Sequence, residues 1–285
     1  MPAVKSHGFR LAKPAPRLIR GLQAEFTART EQAFERWSEY RQHKRVVAEA
    51  LAARAFGTME PDAKTKASLV ALRRSYKERI PAVMDGVSDG PPIFHVKPGL
   101  NILGPPYDFA LSAATGSNKP AIMNDVSSGR FAVVGSAISG RGTFGSAGMS
   151  LFIVPSHPSR TLAIRPYFEW QYIYSCESDG PPTSHSHGVI SASASGHRGS
   201  STLPFPDRSQ PLWSASSDAW DDDHGNDSGV FVGLDSQLLV SGADFYTVSF
   251  VCQAAADSAD GNFGWFSQAF FQLHCRVPYL FVEEF

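Results

Sequence analysis

Residues 161–175, TLAIRPYFEWQYIYS, constrain the fold more than any other stretch of this chain. Leu162, Ile164, Pro166, Phe168, Trp170, Tyr172 and Tyr174 take the even positions, while Arg165, Glu169 and Gln171 stand among the odd ones. Successive side chains of a strand point to opposite faces of its sheet. This alternation therefore predicts a β-strand with one face on a core and the other toward water. A helix would scatter the rings around its circumference. Pro166 has no N–H to give a ladder, which predicts an edge position or a bulge there.

The surrounding sequence repeats the pattern in shorter units. Candidate strands fall at 93–96, 100–103, 130–138, 149–154, 188–194, 229–232, 237–240, 245–254, 265–275 and 279–283, separated by Gly, Ser, Pro and Asp. Many short strands with such turns predict a mainly antiparallel β-sandwich, jelly-roll-like, over 93–285. The Ser-rich stretch 176–228 reads as a long loop with a functional or mobile segment. The apolar C-terminus reads as a docked final strand.

The first third of the chain has a different period. Residues 1–16 carry three prolines among basic residues and read as an extended tail. Leu22, Phe26, Ala33, Trp37, Tyr40, Val47 and Leu51 recur at helical spacing, with no Gly or Pro from Leu22 to Phe56 and Gly57 as a stop. A second helix is expected from Pro61 to Ile80, ended by Pro81. The overall expectation is α+β: a basic tail and helical hairpin or arm over 1–84, a linker over 85–92, and the β-sandwich body.

The formal net charge of −1 conceals a division between these parts. Residues 1–80 carry +9 and residues 81–285 carry −10. An arm of that sign seeks an acidic surface, and the acidic body of the same protein is one. Nucleic acid is an unlikely partner, because Glu25, Glu31, Glu35, Glu39 and Glu49 interrupt the arm's cations. No run reaches the length of a membrane span and the first residues lack a signal-peptide core, so a cytoplasmic location, or release without a signal, is expected. Cys176, Cys252 and Cys275 are too few for a disulfide framework, and the latter two read as buried thiols.

Each motif has a plain alternative. Gly140 to Gly145, GRGTFG, has the letters of a dinucleotide fingerprint, but strand-like sequence follows where a helix is required, so it reads as a hairpin loop. Asp221, Asp223 and Asp227 would be the ligands if the acidic run held Ca²⁺; no EF-hand Glu closes it, and a solvated turn is the favoured reading. His185, His187 and His197 sit in Ser/Gly sequence without the rigidity zinc requires. No cofactor is expected, and no catalytic constellation proposes an enzyme.

Trp213 and Trp220 flank polar sequence and are the candidate residues for stacking on a carbohydrate ring. Phe26, Trp37, Tyr40 and Leu51 form the candidate interface of the arm. The leading functional expectation is a structural protein, a homo-oligomer in which the basic arm docks on an acidic sandwich body. The alternative is a carbohydrate- or surface-binding, lectin-like module that uses the arm to oligomerise.

Overall fold

The computed structural model describes residues 15–56, 100–157, 159–179, 182–199, 201–204, 207–217, 221–231, 238–259 and 266–285, with helix side chains through 39. The linker, the second helix and the 93–96 strand expected from sequence lie outside the described residues. Among the described residues one helix, α1 (Pro16–Phe56), precedes thirteen strands. At 1.5 Å per residue it is about 60 Å long.

Two antiparallel sheets follow. The first contains β3 (Ala121–Asp125), β4 (Arg130–Ile138), β6 (Thr161–Asp179), β10 (Asp222–Phe231) and β13 (Phe266–Glu284) in the order β10-β6-β13-β4-β3. Two short strands lengthen it: β1 (Leu100–Leu103) pairs with β13, and β11 (Leu238–Ser241) pairs with β6. The second sheet runs β2-β5-β12-β7-β8, built from β2 (Phe109–Gly116), β5 (Gly142–Ile153), β7 (Ser184–Arg198), β8 (Ser201–Pro204) and β12 (Phe245–Ser258). A further strand, β9 (Arg208–Ser217), also pairs with β7.

Chain neighbours face each other across the sandwich: β2 over β3, β5 over β4, β12 over β13, β7 over β6, and β9 over β10. Sequence reading placed 140–145 in a hairpin loop. The turn instead joins β4 in one sheet to β5 in the other. Its sharpness comes from consecutive left-handed residues, Ser139 at φ 46° and Gly140 at φ 76°, the second of which suits glycine.

The core lies between the sheets. Phe131, Phe168, Phe250, Phe271, Met149 and Tyr246 are fully buried in it. Phe250 meets Tyr107 at 5.7 Å between ring centroids and Phe168 edge-on at 6.1 Å. The three cysteines are buried and none is in a disulfide. Burial, together with its hydrogen bond to Cys252, pushes the Cys275 thiol well up.

Strand β6 is not an edge strand as Pro166 suggested, since β13 and β10 flank it. Pro166 nonetheless falls in a local gap: β10 pairs down to Phe168 and β11 resumes at Ile164. On that side its missing donor interrupts no ladder between the described strands, while on the other it stands opposite Leu280 of β13. The bulge sits in the partner, where register shifts between Arg276 and Tyr279 near Pro278. One strand, β13, thus replaces the two expected at 265–275 and 279–283. No described helix is long and apolar enough to cross a membrane, which says nothing of strands.

The expected loop 176–228 is largely sheet: the strand expected at 188–194 extends to Ser184–Arg198 as β7, and β8, β9 and β10 follow it. The inward positions of β7 are Ser184, Ser186, Gly188, Ile190, Ala192, Ala194 and Gly196, small residues that give little strand signal. Gly188 is required by close approach, because a Cβ there would stand 1.8 Å from the Trp213 ring. Gly188→Ala is expected to cost about 1–3 kcal/mol by overpacking, read as a lower urea midpoint with a shifted tryptophan emission.

Candidate functional site

The helix and the outer face of the second sheet form the site. Period-two alternation sends Phe109 and Leu111 of β2, Phe152 of β5 and Val251 of β12 outward, where they form a second apolar cluster. Leu18, Ile19, Leu22 and Phe26 of α1 pack on it, at the i, i+4 spacing that keeps a helix stripe on one side. Farther along, Phe34 packs against Trp37 and Phe144, with ring centroids at 6.0 and 6.1 Å. Trp37 lies 5.3 Å from the His187 ring. The arm therefore seats its stripe on its own body. Tyr40 and Leu51 fall in the same helix, but their side chains lie outside the description.

Polar contacts fix the register of this packing. Thr30 is 1% exposed; its hydroxyl donates to the Phe26 carbonyl at 2.9 Å and stands 3.3 Å from Ser146 Oγ. Gln253 Nε2 donates to the same Ser146 hydroxyl at 3.1 Å. Gln23 Nε2 donates to the Ser112 carbonyl on β2 at 2.6 Å. Asn124 donates to the neighbouring Leu111 carbonyl at 3.1 Å. Strand β2 is an edge strand, and since consecutive carbonyls point to opposite sides of a strand, one of these two amides occupies a carbonyl that an unprotected edge would offer to another chain.

A groove of about 350 Å³ opens between α1 and the sheet. Its floor includes Ser191, Ser193 and Ser195 of β7 and Thr247, Ser249 and Gln253 of β12. Glu25, Arg29 and Asp207 stand on its lip, where Arg29 pairs with Glu25 at 2.6 Å and approaches Asp207 at 3.9 Å. Desolvation raises the Asp207 carboxyl above its usual range, opposed by Arg29. At the N-terminal end of α1, His197 stacks on Phe245 at 4.5 Å and shares a 2.9 Å hydrogen bond with the Thr247 hydroxyl. Burial pushes this imidazole below its ordinary value, against the pull of Glu25.

The other expected site residues gather elsewhere. Trp213 is not on a loop: it lies in β9, 7% exposed, and donates from Nε1 to Ser186 Oγ at 3.0 Å. Its ring stands 4.7 Å from Tyr172 and stacks with Tyr174 at 5.9 Å and 7°. Trp170 stacks in turn on Tyr172 at 5.6 Å, so β6 carries a ladder of rings along one face. Trp220 lies outside the described residues.

The acidic run is a strand rather than a turn. Asp223 and Asp227 share a face of edge strand β10, and Asp221 precedes it. Tyr174 donates to Asp223 Oδ1 at 3.2 Å, and the Ser216 amide meets Oδ2 at 3.3 Å. His185 and His187 lie at one end of β7 and His197 at the other. Among the described residues no three His, Cys, Asp or Glu side chains come together as a metal site.

Sequence reasoning missed Thr30, Gln23, Ser146 and the hydroxyl floor. The signal for the floor was the alternation of Ser191, Ser193 and Ser195 with Ala192 and Ala194, which puts the hydroxyls on one face of the strand expected at 188–194.

No family model matches the chain, and no curated protein matches it. Among solved structures, the enzymatically active domain of tailspike protein 4 of bacteriophage CBA120 is similar over 61% of this chain at 10% identity, with a TM-score of 0.20. The chain spans only 18% of that domain's length. The trimeric lipoprotein SadB of Salmonella enterica is similar over 83% of this chain and 95% of its own, at 11% identity and a TM-score of 0.14. Likenesses this weak carry no argument about the present chain.

The tyrosine ladder sets a pH dependence. Burial first, then the Asp223 carboxylate, pushes the Tyr174 hydroxyl up to about 12. An unfolded tyrosine ionises near pH 10, so between about 10 and 12 the unfolded chain releases its proton first and stability falls as pH rises. The urea midpoint is expected to drop across that window, with phenolate absorbance tracking it. Asp223→Asn is expected to shallow the slope.

Proposed function

We propose that this protein is structural and self-associating, with α1 acting as a clamp that one copy lends to the next. The observation that carries this reading is the fit between the Leu18-Ile19-Leu22-Phe26 stripe and the apolar patch on the second sheet. A large apolar side chain contributes about 1.5–3 kcal/mol when fully buried, and an exposed ion pair about 0–1. The stripe therefore supplies most of the affinity, while the opposite charges of arm and body steer the encounter.

Residues 57–99 separate helix from body along the chain, and a stretch of that length reaches at most about 150 Å. Exchange of α1 between copies would keep every contact of the helix–sheet interface while joining two bodies, the economy that makes domain swapping a low-cost route to oligomers.

The strand order also supports a jelly-roll reading of the body. β4-β13-β6-β10 faces β5-β12-β7-β9, two four-stranded layers with chain neighbours opposed. Jelly rolls serve in capsids and in lectins alike, so the winding alone does not choose between assembly and ligand binding. A second reading, a carbohydrate- or surface-binding module, is favoured by the hydroxyl-lined groove.

Light scattering after size exclusion tests the assembly. Full-length protein at micromolar concentration in low salt is expected to be oligomeric, and Phe26→Asp to return it to monomer. Added salt is expected to slow association more than it lowers the final oligomer fraction. A wild-type protein that stays monomeric throughout would sink the proposal.

A further inference from the structure

We propose that the groove under α1 binds a neutral, polyhydroxylated ring, a saccharide unit. This rests on the binding reading rather than on assembly. The volume of about 350 Å³ lies in the range of small-ligand sites.

The floor argues for the ligand class. Strands β7 and β12 are in register with Ser195 opposite Thr247 and Ser193 opposite Ser249. Their outward side chains therefore make a grid of hydroxyls about 5 Å apart across the pair. A hydroxyl both donates and accepts, as each hydroxyl of a sugar does.

Part of this grid is already committed. Ser249 is hydrogen-bonded to Ser150 at 2.6 Å, and Thr247 to His197 at 2.9 Å. The Ser191, Ser193 and Ser195 hydroxyls make no side-chain hydrogen bond among the described residues, although all three line the groove. They form a row of unoccupied donors and acceptors along one strand.

The walls and lip complete the match. Leu22, Phe26, Leu111 and Val251 give the groove an apolar side, suited to the C–H face of a sugar ring. On the lip, Arg29 lies between Glu25 and Asp207, so its charge is offset on both sides. A lip of this kind favours no net anion, while its carboxylates can accept from vicinal hydroxyls.

Calorimetric titration of the full chain with mannose, galactose, N-acetylglucosamine and maltose, beside inorganic phosphate, tests the proposal. At least one saccharide is expected to bind at millimolar concentration or below. Ser193→Leu, which fills the groove from a half-buried position on its floor, is expected to weaken it about tenfold or more, a change of about 1.4 kcal/mol. The triple change of Ser191, Ser193 and Ser195 to Ala removes the hydroxyls without added bulk and is expected to do the same. Melting temperatures of both variants serve as the folding control.

Saccharide binding that survives both folded variants would overturn this site and leave the binding reading standing. No binding by any of the four sugars would overturn both. Phosphate binding in preference to sugar would overturn the ligand class.

Discussion

The antiparallel pairing of β6 with β13 is the interaction on which the rest depends. The two strands run together from Phe266 opposite Asp179 to Glu284 opposite Leu162, with one interruption near Pro278. Everything in the first sheet hangs from this pair: β10 and β11 on the outer side of β6, β4 and β1 on the outer side of β13. The inward residues of the pair, Phe168, Phe271 and Leu273 among them, supply much of the surface on which the second sheet closes. A slip of one residue would turn that whole set toward solvent, so the core fixes the register as firmly as the hydrogen bonds do.

The second sheet is built on a different principle. Its inner face mixes large residues such as Met149, Tyr246 and Phe250 with small ones such as Ala254, Ala256, Ala192 and Ala194. Its outer face is divided between an apolar patch and a field of hydroxyls. The helix covers the patch and overhangs the field. One amphipathic element thereby shields Phe109, Leu111, Phe152 and Val251 from water, caps part of edge strand β2, and roofs the groove. The arm is thus part of the body's packing as well as a candidate means of joining bodies.

Legibility in the sequence followed side-chain size. Where alternation set aromatics against polar residues, as at Phe168, Trp170 and Tyr172, the strand could be read directly; the same holds for the helix carrying Leu22, Phe26 and Trp37. Strand β7 was legible only over 188–194 and runs from Ser184 to Arg198, because serine alternating with alanine or glycine has little hydrophobic contrast toward its ends. Only the end of β10, from Gly229, was legible; its Asp, His, Gly and Asn residues read as a turn, although charge on an edge is how sheets discourage further pairing. Of the site, the apolar half was legible. Thr30, Ser146 and the β7 serines were not, since their role depends on which strands lie side by side, and local pattern does not carry that.

The strand order also bears on how the chain is made. β12 and β13 are the middle strands of the two sheets, yet they come after every other described strand along the chain. Until residues 245–285 leave the ribosome, neither sheet has its centre: β4 waits beside β3, β6 beside β10, β5 beside β2, and β7 beside β9. Helix α1, complete long before, has only part of its seat, because Val251 arrives with β12. Domains more often consolidate from the N-terminus during translation. Here the two central strands follow all their neighbours along the sequence, so neither half of the sandwich can close on its centre before residues 245–285 are present.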